Sequence, residues 1–214
     1  NQSVTMISKL YEDHNNRIEV ENFAKSRVFD ILIGDWGRHE DNYKWAAYKS
    51  KQGTLFYPIP RDRDQAFSRW NGVIPSFADG FWALPFIENF DDKFHSLKSL
   101  NYNARHIDRL LLASLNRQDW QKMSEYIVDK VNDQVIDDAI ATFPNEVRKI
   151  SADEISRKLK ARRRSLTKAI DEYYLTLAEK VDVVGSNKNE YFDVDRLPNG
   201  NVLVKMKAKE DSIY

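Results

Sequence analysis

Two short stretches of this 214-residue chain carry oxygen-bearing side chains at a spacing that could do chemistry. The first reads Ile33-Gly34-Asp35-Trp36-Gly37-Arg38-His39-Glu40-Asp41-Asn42, the second Pro60-Arg61-Asp62-Arg63-Asp64-Gln65-Ala66-Phe67. Carboxylate and amide oxygens are the ligands of a hard divalent cation such as Mg2+. Phosphoryl transfer needs such ligands to hold the metal against nucleotide phosphates, together with a carboxylate that orients the attacking hydroxyl. Asn42, Asp62 and Asp64 are the candidate metal ligands, with Asn42 and Asp62 also on the cofactor side. Arg38 and His39 are candidate catalytic-loop residues: Arg38 is expected to pair with Asp62 or Asp64, and His39 to steady the loop by bonding backbone carbonyls. A structural role for each of these residues remains the competing expectation, as turn, cap or surface ion pair.

In kinases the base and, five residues later, an asparagine lie on one loop, and a metal-binding aspartate lies on a second loop beyond a short hairpin. Asn42 and Asp62, 20 residues apart, fit that order. The chain resembles the C-terminal lobe of atypical kinases of the CotH (spore-coat protein H) type, and more distantly HipA-like and secretory-pathway kinases. Those families carry Asp-Arg-His with a following Asn or Gln, then Pro-x-Asp-x-Asp-x-x-Phe. Ile107-Asp108-Arg109-Leu110-Leu111, the helix start at Asn116–Trp120 and the basic segment Leu159–Leu166 extend the resemblance over residues 1–180.

What the resemblance implies is a site for Mg2+ and ATP, an acceptor that is a protein or a small hydroxyl compound, and a bacterial periplasmic or envelope setting within a larger parent chain. One position departs from it. Counting back five from Asn42 lands on Gly37, which has no side chain to accept a proton. Asp35 is the weak substitute, because two residues of offset move a carboxylate by roughly 6 Å. Only about fifteen residues precede the helix leading to the first loop, so the lobe that clamps the triphosphate is expected to be absent. The expectation is a kinase-like phosphotransferase fragment inactive on its own, in which Gly37 marks a pseudokinase, or Asp35 has taken over, or this copy carries a substitution. Two alternatives stay open: a non-catalytic interaction or structural module of an envelope protein, and a metal-dependent hydrolase using Asp35, Asp62 and Asp64.

The surrounding elements must position these loops. Val20, Phe23, Ala24, Arg27, Val28, Ile31 and Leu32 recur at helical spacing over residues 16–33, with Asn16 as the expected N-cap and Gly34 as the stop. Tyr43–Tyr48 and Thr54–Ile59 read as a hairpin turning at Lys51-Gln52-Gly53. Residues 68–100 read as an ordered loop with short helices at most, its aromatics Trp70, Phe77, Phe81, Trp82 and Phe86 serving as core. Helix is expected from Asn103 to Lys180 with one break at Phe143-Pro144, a capped start at Asn116 with Asp119, and another at Ser151 with Glu154. Arg162, Arg163 and Arg164 point ~100° apart and so serve different faces. Beyond Lys180, Tyr191–Val194 and Val202–Met206 flank Asn199-Gly200 as a second hairpin, a junction toward a further β-rich domain over 181–214. The fold class is mainly α (α+β).

Composition excludes much else. The 33 basic and 33 acidic residues cancel, which argues against nucleic acid as a partner. Cysteine is absent, ruling out thiolate chemistry. No apolar run reaches the ~20 residues of a transmembrane segment.

Overall fold

The computed structural model describes residues 1–69 and 88–208, so the expected role of Trp70, Phe77, Phe81, Trp82 and Phe86 lies outside the described residues. The fold is α+β, with helices packed behind a small sheet and a separate hairpin near the C-terminus. Helix α1 (Ser3–Glu12) leads to a short strand β1 (Arg17–Ile18) and then to α2 (Val20–Ile33). A single 3-10 turn, Glu40–Asn42, precedes β2 (Tyr43–Ser50) and β3 (Gly53–Pro60). After the undescribed stretch come α3 (Leu97–Leu100), α4 (Arg105–Leu112), α5 (Arg117–Lys130), α6 (Asp133–Ala141) and the long α7 (Asn145–Ala178). Strands β4 (Glu190–Arg196) and β5 (Val202–Ala208) form the C-terminal hairpin.

The three-stranded sheet runs β1-β3-β2, with β1 parallel to β3 and β2 antiparallel to it. Asn16 is not the N-cap of α2. Its amide donates to the Lys9 carbonyl at 2.7 Å and accepts from Thr54 N–H at 2.9 Å, stitching α1 to β3. With residues 17 and 18 paired to Leu55 and Phe56, the helix starts later, after Glu19, whose side chain makes no cap bond.

Helix breaks are more frequent than the single one expected. Asn132 caps α6 by accepting from Val135 N–H, which separates α5 from α6. Asn116 caps α5 as expected, with Asp119 returning the bond to its backbone. Ser151 does not start a helix: α7 runs continuously from Asn145, just after Pro144, and the Ser151 hydroxyl donates back to the Val147 carbonyl. Proline ends the preceding segment because it lacks the N–H that a helix interior needs.

The core joins α2, the sheet, α5 and α7 through Phe23, Val28, Leu32, Tyr43, Trp45, Trp120, Leu166, Ile170 and Tyr173. Arg27 lies within the apolar repeat of α2 and is itself buried. Among the described residues no helix is long and apolar enough to cross a membrane.

Candidate functional site

The first loop grows out of the end of α2. Gly34 adopts φ +71° and returns its N–H to the Asp30 and Ile31 carbonyls, the left-handed cap that glycine permits. From α7, Arg162 completes the cap by donating to the Ile31 and Leu32 carbonyls, both at 2.8 Å, while its guanidinium stacks on Phe94 and Phe90. Arg163 faces elsewhere and bonds the Val128 carbonyl near the end of α5. Arg164 is exposed. The three arginines thus serve separate faces, as the helical angle requires.

The hairpin then brings the second loop back. Tyr43 pairs with Pro60, and Arg61 N–H donates to the Asn42 carbonyl at 2.8 Å, so Asp62 follows one residue beyond Asn42's partner. Three further bonds join the loops: Phe67 N–H to the Ile33 carbonyl, Trp36 Nε1 to Ser68 Oγ, and Arg38 Nη1 to the Arg61 carbonyl.

Asp62 and Phe67 are the two non-glycine residues with positive φ among the described residues, at +54° and +60°. Such backbone costs on the order of 1–3 kcal/mol and concentrates at functional sites. Asp62 and Asp64 are both exposed. Asn42 is 9% exposed, and its Oδ1 accepts from His39 N–H at 3.0 Å. One lone pair of that oxygen is therefore used in holding the turn. Among the described residues no three His, Asp or Glu side chains converge as a metal site, so a cation here would draw on amide and carboxylate oxygens together. Mg2+ accepts that donor chemistry when waters or phosphates complete its octahedron.

Arg38 does not pair with Asp62 or Asp64. It is 1% exposed, and its Nε lies 2.8 Å from Asp35 and 3.2 Å from Asp30. Burial explains the change, since a guanidinium removed from water must take fully buried partners, and the exposed carboxylates offer none. Its Nη2 is buried without a hydrogen-bond partner. His39 steadies the loop in the opposite sense to that expected: its Nδ1 accepts from Asp41 N–H. The exposed 3-10 turn presents an N–H there, and an acceptor is what that N–H requires.

Asp35 is buried with both oxygens engaged, one by Arg38 and one by Gly37 N–H. Burial first, and the neighbouring Asp30 carboxylate as well, push its pKa up against the pull of Arg38. A carboxyl so enclosed is held within the loop by both of these bonds. Residue 37 sits within reach of the second loop: a Cβ there would lie 2.7 Å from Gln65 Cγ and 3.5 Å from Asp35 Oδ1.

The residue missing from the sequence argument is Asp30. Its carboxylate receives Arg27, Arg38, Tyr43 and Arg63, and it is fully buried. Arg27 continues the network to Asp108 at 2.8 Å and Asn101 at 2.7 Å, and Asp108 accepts from the Tyr173 hydroxyl. Burial opposes the Arg27 charge, yet Asp108 first, with Tyr43 and Asp30 after it, holds its pKa above the ordinary arginine value. The only trace of this in the sequence is a charged residue at an apolar helical position.

Comparison with protein-family models, curated proteins and solved structures found no match to this chain.

Proposed function

We propose that this chain carries the metal-binding side of a kinase-like phosphotransfer site, the C-lobe portion of such a fold, with no carboxylate to orient an acceptor hydroxyl. It binds Mg2+ together with the phosphates of ATP through Asn42, Asp62 and Asp64, and it is degenerate as a catalyst because position 37 is glycine. The observation that supports this most is the closure of the hairpin, where Arg61 N–H meets the Asn42 carbonyl at 2.8 Å and Asp62 follows at φ +54°. Two loops distant in sequence thereby present oxygen donors on neighbouring residues. A protein or small hydroxyl compound is the acceptor class for which an undegenerate relative of this site would serve.

The test is restoration. Gly37→Asp places a carboxylate beside Gln65, whose flexible side chain can yield, and near buried Asp35. Positioning supplies most of the catalysis in phosphoryl transfer, so in a parent protein that includes the nucleotide-clamping upstream lobe, Mg2+-dependent ATP turnover should rise in Gly37→Asp and vanish in Gly37→Asp/Asp62→Ala. Turnover in Gly37→Asp no higher than in the unsubstituted chain, or undiminished when Asp62→Ala is added, would sink the assignment.

A second reading, a non-catalytic interaction module, is favoured by the C-terminal hairpin. Phe192 faces Met206 and Val194 faces Val204 across its register, while Phe192, Val194, Val202 and Met206 stay exposed. An apolar face on a two-stranded hairpin calls for a covering partner. If that is the whole function, Asp62→Ala leaves every binding property of the chain intact.

A further inference from the structure

We propose that Asp30 positions both site loops and that Arg63 is the releasable member of the clamp, fixing the strained backbone that aims Asp62. Four side chains from four segments converge on this one carboxylate. Oδ2 accepts from the Tyr43 hydroxyl at 3.0 Å and Arg27 Nη1 at 3.2 Å, while Oδ1 accepts from Arg63 Nε at 2.8 Å. Arg38 Nε, whose N–H is given to Asp35, lies 3.2 Å from Oδ2 as an ion-pair partner.

The four partners are not equally held. Arg27 is tied as well to Asp108 and Asn101, Arg38 to Asp35 and two loop carbonyls, and Tyr43 by the strand pairing of β2. Arg63 differs: its side chain is 30% exposed, its other bond is a long 3.4 Å contact to Ser26 Oγ, and it lies over the Phe29 ring. Releasing Arg63 from Asp30 therefore breaks one ion pair and leaves the buried network whole.

Asp62 lies between two anchors. On one side Arg61 is held through its N–H by Asn42 and through its carbonyl by Arg38. On the other, Arg63 is held by Asp30. Released from the second anchor, residue 62 can leave φ +54° for the ordinary right-handed region, and its carboxylate direction changes with it.

The test uses the full chain with Arg63→Met, Arg63→Lys and Asp62→Ala, read by amide hydrogen exchange and by Mn2+ binding. The Ala66 and Phe67 amides are hydrogen-bonded within the second loop and to the end of α2, and so report its opening. In Arg63→Met their exchange should quicken about tenfold, the ratio expected for one lost charge-assisted bond, with α7 amides unchanged and with partial recovery in Arg63→Lys. Unchanged exchange at these two amides overturns the inference. The metal arm rests on the two-loop site proposed above, and there Arg63→Met should weaken Mn2+ about tenfold. Equal Mn2+ affinity in the unsubstituted chain and Arg63→Met, lost only in Asp62→Ala, would refute the positioning role while leaving the metal site standing. No Mn2+ binding by the unsubstituted chain would refute the metal site, and the exchange rates would still decide the clamp.

Discussion

Replacing Arg162 with methionine removes the group that seals the C-terminal end of α2, from which the first site loop departs. Two bonds of 2.8 Å to the Ile31 and Leu32 carbonyls are lost, with a weaker one of 3.3 Å to Asp91. A hydrogen bond from a charged donor contributes about 1.5–3 kcal/mol, so the two good ones together contribute about 3–6 kcal/mol. Against this stands the burial of the guanidinium, which lowers its pKa to about 10. The shift from 12.5 corresponds to an offset of about 3 kcal/mol. Stacking on Phe94, at 4.0 Å, adds about 1 kcal/mol. Methionine refills part of the volume but leaves the Leu32 carbonyl without this donor and the Ile31 carbonyl with only the longer Gly34 N–H bond of 3.2 Å. The net loss should be about 3 kcal/mol, measured by urea unfolding followed through tryptophan fluorescence, with a fall in Tm of about 8 °C for a chain of this size. Arg162→Lys should recover part of it, since one ammonium can still reach a carbonyl. Stability within about 0.5 kcal/mol of the unsubstituted protein, the range of a neutral surface change, would show that the cap is not what holds this end of the helix.

Two further outcomes follow from single positions. Gly34→Ala should cost about 1–3 kcal/mol, read as a lowered urea midpoint, because φ is +71° and the new Cβ would lie 2.9 Å from Phe90 Cδ2; an unchanged midpoint would contradict it. Stability should decline above pH 10. Burial first, and the Asp30 and Asp108 carboxylates next, push the pKa values of Tyr43 and Tyr173 up, so these rings stay protonated in the fold while unfolded tyrosines ionise near pH 10. The unfolded state then binds fewer protons, and stability present below pH 10 is lost as pH rises. Arg162, its pKa lowered by burial, acts oppositely over the same range, but with one proton against two. The net slope is about 1.4 kcal/mol per pH unit. Tyr43→Phe should flatten it, and urea midpoints at pH 9, 10 and 11 that rise in the unsubstituted protein would refute the sign.

The helix ending at Gly34, the hairpin turning at Gly53 and the cap at Asn116 were legible in the sequence because each is a local pattern: a 3.6-residue repeat, alternation around a turn, a side chain bonding backbone two and three residues on. Asn16 misled for the same reason, since its residue type fits a helix start while its partners lie on β3 and at Lys9. The two candidate loops stand out through their spacing. What joins them was not: Asp30 meets Arg63 33 positions away, and Arg27 meets Asp108 81 positions away. Such pairs leave no periodic mark, and only the position of Arg27 on an apolar stripe hinted that a buried charge awaited a partner.

Mn2+ binding followed by electron paramagnetic resonance tests the central proposal most directly, because free and bound ion give distinct signals without any need for turnover. The chain is expected to take up one Mn2+ displaceable by Mg2+, to lose it in Asp62→Ala, and to keep it in Asp41→Ala, which removes an exposed acid two residues from His39 and outside the ligand set. Absence of saturable Mn2+ binding, or binding that survives Asp62→Ala unchanged, would contradict the two-loop metal site.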